Sequence, residues 1–178
     1  MLIDPLIIGA DGVDEAKTYV RIESDEEDGL ISALLATAIR HCEGFTGQLQ
    51  IARGVVERLP VSAAWQRLSA TPVQSINGVT GIAAEGASFA LPITGYAIDI
   101  DGAGNGWVRV TQPGAAGRID VAFTAGAASS WGAISDPLRH GILRLTAHLH
   151  ANRDNVSDAG PPAAVAALWR PWRRMQLS

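Results

Sequence analysis

A single cysteine, Cys42, occurs among the 178 residues, so neither an internal disulfide nor a multi-cysteine zinc site is available. Charge is also scarce, at 18% of residues against roughly 25% in an average soluble domain. So thin an ionic surface points to area that becomes covered in an assembly. The basic excess of a protein that coats nucleic acid is missing, because the formal net charge is -4 and the pI about 5.5. No stretch reaches the roughly 18 uninterrupted apolar residues that a membrane span needs. The opening Met1-Leu-Ile-Asp lacks the basic n-region of a secretory signal. GxSxG, HExxH, P-loop and paired-carboxylate signatures are likewise missing from the sequence. What is present is apolar, 47% of the chain, enough for the core of one large domain or two small ones. These limits predict a soluble, cytoplasmic, oligomer-prone protein, and the residues carry no recognisable enzyme, cofactor or metal signature.

The charges that exist are unevenly placed. Residues 1–44 carry ten acids against three bases, residues 45–134 are balanced, and residues 135–178 carry six arginines against three acids. The two ends are therefore complementary and can meet within one subunit or between neighbours, where opposite potentials set orientation more than affinity. Solvated helix faces are the plainer alternative.

Both ends read as helical. Asp14 is placed to cap a helix over residues 15–22, and Ser24 followed by Glu27 has the spacing of a capping box. A long helix over residues 25–45 then repeats Leu30, Ile31, Leu34, Leu35, Ala38, Ile39, Cys42 and Phe45 at intervals of three and four, ending at Gly47. Near the other end, Asp136 or Ser135 caps a helix with Pro137 at its first position and Leu138, Ile142, Leu145 and Leu149 on one face, lasting to about Asn152. Residues 163–168 form a further short helix.

Between them the period changes to two. Residues 54–59, 73–80, 96–100, 107–111 and 118–124 are rich in Val, Ile, Thr and aromatics, and Gly, Pro and Asn separate them. Asp101-Gly-Ala-Gly-Asn-Gly is a hairpin tip rather than a calcium loop, since the third ligand and terminal Glu are missing. The class is α+β, with N- and C-terminal helices packed together and an inserted antiparallel β block.

Chemistry-bearing residues are few. His41, His140, His148 and His150 do not share a ligand spacing, because His148 and His150 lie about 200° apart around a helix. Cys42 sits in the apolar stripe, where a thiol behaves as a small hydrophobe. The last residues are more informative: Trp169, Arg170, Trp172, Arg173 and Arg174 put two indoles and three guanidinium groups in a short tail stiffened by Pro171. Those are the residue types of protein–protein hot spots. An indole folded onto the core, or a tail that stacks nucleic-acid bases, are the alternatives.

The order of these features resembles a known family. Val13-Asp-Glu-Ala-Lys-Thr-Tyr-Val-Arg-Ile with the acidic stretch and helix Asp25-Glu-Glu-Asp-Gly-Leu-Ile-Ser-Ala-Leu-Leu-Ala-Thr-Ala-Ile-Arg resembles the opening of phage head-tail connector (adaptor) proteins. Val121-Ala-Phe-Thr-Ala-Gly and the helix from Asp136-Pro-Leu-Arg-His-Gly-Ile-Leu-Arg-Leu to Asn152-Arg resemble their close. Adaptors of tailed phages, prophages and gene transfer agents are the nearest in pattern. The resemblance implies a non-enzymatic ring, usually dodecameric, on the portal vertex at the head–tail junction of a virion made in the bacterial cytoplasm. Its partners would be the portal protein, a tail-completion or stopper protein and further copies of itself. DNA would pass the lumen without specific binding, and no membrane is involved. It further implies a helical core over residues 1–47 and 127–155, a β domain over 48–126 and a portal-binding arm over 156–178, with Trp169, Arg170, Trp172, Arg173 and Arg174 gripping the portal. Subunits would then meet through Glu23, Asp25, Glu26, Glu27 and Asp28 of one copy and Arg139, Arg144 and Arg153 of the next. A DNA-packaging or single-stranded-DNA-binding accessory protein is the rival reading, and salt-dependent DNA binding would distinguish it.

Overall fold

A computed structural model describes residues 1–152 and 161–174. The chain forms two compact units, one from residues 1–5 and 52–127, the other from residues 6–51 and 128–178. The fold is α+β: helices from both ends of the chain pack together, and antiparallel sheets are inserted between them in sequence.

The helical unit contains α1 (Ala10–Val20), α2 (Asp28–Thr46), α3 (Asp136–Ala151) and α4 (Ala163–Trp169). Its core is the apolar stripe of α2 (Ile31, Leu35, Ala38, Ile39 and Cys42) against Leu138, Ile142 and Leu145 of α3 and Val165 and Trp169 of α4. Each large aliphatic sealed there stabilises the unit by roughly 1.5–3 kcal/mol. Leu30 falls off the stripe and is exposed. Gly47 ends α2 in the left-handed conformation, at φ 69°, with its N–H on the Glu43 carbonyl at 2.8 Å.

Two helix starts differ from the expectation. α1 begins before Asp14, which lies inside the helix and whose carbonyl accepts the Thr18 hydroxyl at 2.9 Å. Trp131 accounts for the early start. Its ring lies where a Cβ on Gly12 would meet it at 3.1 Å, and its Nε1 donates to Glu15 Oε2 at 2.7 Å, so the first turn is fixed by packing rather than by a cap. Before α2, Ser24 Oγ accepts the Glu26 N–H at 3.2 Å and residues 25–27 make a 3-10 turn, so the α-helix itself starts at Asp28. α3 likewise starts without a side-chain cap: Pro137 lies in its first turn and the Ser135 hydroxyl makes no capping bond.

The β unit holds two antiparallel sheets. One has the order β1 (Leu2–Ile3), β2 (Arg53–Pro60), β8 (Ala116–Ala125), β4 (Val73–Ala83), β5 (Ser88–Ala90). The other has the order β3 (Gln66–Arg67), β7 (Gly106–Val110), β6 (Tyr96–Ile100). Alternation puts Ile119, Val121, Phe123 and Ala125 of β8 inside, with Val55, Val79, Leu68, Val108 and Val110. Gly106 is required by close approach, since a Cβ there would meet Leu68 Cδ1 at 2.8 Å and Val73 Cγ2 at 2.9 Å. The sequence reading treats the β region as one block, whereas the structure divides it. β1, β3 and β5 are two or three residues long, too short to show a period. The first residues, read as part of a 1–47 helical segment, pair instead with β2 in the β unit.

Candidate functional site

The tail singled out from the sequence is built from α4 outward. After Trp169 the chain makes a 3-10 turn over Arg170–Trp172 and then runs extended. The Arg174 N–H donates to the Thr46 carbonyl at 2.9 Å, and Gln48 Nε2 donates to the Trp172 carbonyl at 2.7 Å, so residues 170–174 are held against the C-terminal end of α2. A cationic segment suits that place, because the final carbonyls of a helix carry partial negative charge.

The two indoles separate. Trp169 is fully buried: its Nε1 donates to the Leu138 carbonyl at 3.3 Å, its ring packs on Phe45 at 5.8 Å between centroids, and it occupies the space that a Cβ on Gly141 would fill. This corrects the expectation that both indoles reach outward. Its spacing in α4, four residues after buried Val165, turns it onto α3, and the missing side chain at Gly141 opens its seat. Trp172 is 40% exposed. With exposed Arg170 and Arg173 it forms the outward face of the arm, and the Arg173 guanidinium lies 5.8 Å from the Phe45 ring. Arg174 is half-buried. Residues 175–178, the rest of the expected arm, lie outside the described residues, as do 156–160.

The acidic set divides in the same way. Lys17, buried on α1, contacts Asp25 and Asp28 at 2.6 Å each. The hydrogen bonds that Lys17 donates to Asp25 and then to Asp28 push its pKa up to about 12, and the same ammonium holds Asp25 below the usual carboxylate range. Glu27 lies 3.4 Å from His150 Nε2. Arg139 is committed to Asp136 at 2.9 Å, Glu15 at 3.5 Å and the Gly132 carbonyl at 3.2 Å. Glu23, Glu26 and Arg144 are exposed and make no ion pair among the described residues. Arg153 lies outside the described residues.

The remaining candidates are structural in their surroundings. Burial pushes the Cys42 thiol well above its ordinary value, away from thiolate chemistry. His140 meets Tyr19 edge-on at 6.1 Å. Among the described residues no group of three His, Cys, Asp or Glu side chains converges to hold a metal, and no helix is long and apolar enough to cross a membrane. Asp101 accepts from the Ala103 and Asn105 backbone N–H groups, Asn105 Nδ2 and Trp107 Nε1, all within 3.1 Å. The Asn105 bonds lead in holding its pKa far down. The carboxylate that opens the hairpin tip is therefore already occupied by donors.

No family model matches the chain, and no curated protein does either. Solved structures do match, over its whole length. The chain is similar to chains of gene transfer agent necks. A chain from the neck of an empty gene transfer agent particle, computed with C6 symmetry, aligns with TM-score 0.77 at 23% identity, covering 100% of this chain and 98% of that one. A chain from the virion of the native particle aligns with TM-score 0.73 at 24% identity and the same coverage. One from the native neck, computed with C12 symmetry, aligns with TM-score 0.71 at 25% identity and again that coverage. The likeness extends over both units and therefore includes the helical segment that carries the arm.

One feature of the β unit was not read from the sequence. Ile98 and Ile100 of β6 are exposed although their cross-strand neighbours Val108 and Gly106 are buried, and Arg109 Cζ stacks 4.7 Å from the Trp65 ring. The alternation of Tyr96-Ala-Ile-Asp-Ile marks a strand. That the strand lies at a sheet edge depends on pairings distant in sequence.

Proposed function

We propose that this protein is a structural head-tail connector (adaptor) that forms a ring at the portal vertex of a phage or gene transfer agent particle. It would link the DNA-filled head to the tail. The observation that carries the reading is the end-to-end likeness to gene transfer agent neck chains. The C6 and C12 symmetries of those necks support a ring of repeated copies, and the virion chain supports a place in the particle. The work is done by geometry and binding, with no bond made or broken.

In this reading the arm meets the portal protein through Arg170, Trp172 and Arg173, while Trp169 positions the arm from beneath. Arg174 holds it to α2. A Trp/Arg face suits this task because each side chain covers a large area and still makes directional polar contacts. Among the described residues of the expected interface set, Glu23 and Glu26 of one copy and Arg144 of the next remain free to steer neighbouring subunits, Asp25, Asp28 and Arg139 being engaged within the subunit. A tail-completion or stopper protein would dock on the assembled ring. Unpaired acids facing the lumen would repel DNA phosphates and let the genome pass without specific binding.

The test removes residues 170–178 and leaves Trp169 in place. The shortened protein should stay folded, with an unchanged helical signal in circular dichroism, and should fail to join heads to tails in particle assembly. Trp172→Ala alone should weaken portal binding by roughly 30-fold, the equivalent of about 2 kcal/mol at a hot spot. Normal tailed particles from the shortened protein would overturn the arm's role. Tight salt-dependent DNA binding by the intact protein would favour a DNA-packaging accessory instead.

A further inference from the structure

We infer that the β6 edge of the three-stranded sheet is a self-association site that pairs with the β3 edge of a second copy; this rests on the ring reading above. Backbone geometry is the first support. The Asp101 N–H donates to the Asn105 carbonyl at 3.0 Å, and β6 pairs with β7 in the register Asp99 to Trp107 and Ile98 to Val108. In an antiparallel ladder the residues bonded across the pair alternate. Ala97, Asp99 and Asp101 therefore turn their N–H and C=O groups to β7, and Ile98 and Ile100 turn theirs to the open edge. The same residues carry side chains on the core-facing side of the sheet, yet Ile98 remains 44% exposed and Ile100 39%. The strand thus ends the sheet with both apolar surface and backbone groups unmatched, the arrangement that accepts a further strand.

Charge identifies the occupant. β3 forms the opposite edge, where Arg67 pairs with Trp107 on one side of β7, just as Asp99 pairs with Trp107 on the other. Arg67, Trp107 and Asp99 therefore stand in one cross-strand row on one face, with a cation at one edge, its Nη2 also donating to Asn105 Oδ1 at 2.6 Å, and an anion at the other. The Leu68 N–H donates to the Gly106 carbonyl at 2.8 Å, so by the same alternation Arg67 turns its backbone outward. Two β6 edges meeting in the register that pairs Ile98 with Ile100 would oppose Asp99 to Asp99, which is unfavourable. A β6 edge meeting a β3 edge places Asp99 beside Arg67 and leaves a new β6 edge free, a head-to-tail contact that a ring can close.

The experiment uses the full chain with both Asp99→Cys and Arg67→Cys, oxidised and run on a non-reducing gel. Within one copy these positions are two strands apart, roughly 9–10 Å, beyond the about 7 Å that a disulfide spans, and Cys42 is buried. The expected result is a ladder extending past the dimer, lost when Ile98→Pro is added. Proline at that position removes an outward N–H without touching the β7 ladder. If Ile98→Pro impairs folding, the ladder of the double-cysteine chain decides alone. Rings seen by negative-stain microscopy without a ladder would overturn this inference and leave the ring standing. Neither rings nor ladder would overturn both. An intact ladder in the folded Ile98→Pro chain would overturn strand pairing as the contact, as would a β6 edge protected by a portal or tail protein instead of a second copy.

Discussion

The helical unit and the β unit differ in which side chains they leave uncovered. In the helical unit Lys17 is enclosed by Asp25 and Asp28, Arg139 is divided among three acceptors, and Trp169 is sealed with its indole N–H bonded. The β unit seals Phe123 and Val121 in its centre but leaves Ile98 and Ile100 uncovered at an edge. One unit completes itself and displays a short cationic arm, and the other ends in an open strand.

The largest test of that contrast is Trp169→Ala, which should destabilise the helical unit by about 3–5 kcal/mol, the range for an aromatic removed from a core. Chemical denaturation followed by circular dichroism would measure it, and a change under about 1 kcal/mol would mean that the arm is not seated as described. The same substitution made in both regions sharpens the comparison. Ile142→Ala in the helical core should lose about 2–5 kcal/mol, and Ile98→Ala at the edge, measured on dilute protein, about 0.5 kcal/mol or less. Equal losses would show that the edge is closed within the subunit.

The smallest effect concerns pH. Asp25 has a lowered pKa, so its contribution is complete above the unfolded value of about 3.9 and disappears as pH falls through the lower native value. Lys17 is raised from 10.5 to about 12, so its contribution is complete below 10.5 and disappears as pH rises through about 12. Lys17→Met should therefore flatten both limbs of the stability profile of the helical unit and leave the Arg58–Asp120 pair of the β unit, at 2.8 Å, unaffected. A profile unchanged by the substitution would remove Lys17 from the account.

Much of the scaffold could be read from residue order. The stripe from Ile31 to Cys42, Gly47 as terminator, Pro137 in a first turn and the alternation of β8 are local patterns, imposed by periods of 3.6 and 2 and by backbone preferences at single residues. The candidate site was legible only in part. The cluster from Trp169 to Arg174 is visible as composition, but composition does not say that one indole turns inward and the other outward. Asp14 looked like a cap because capping is local, and it lost to a contact with Trp131, more than a hundred residues away in sequence.

Sequence alone determined the α+β order, the amphipathic faces and the uneven placement of charge, because each is a property of neighbours a few residues apart. Tertiary structure alone decided that Gly141 makes room for Trp169, that Lys17 consumes two of the acids, and that β6 is an edge, because each depends on which distant segments come to lie side by side.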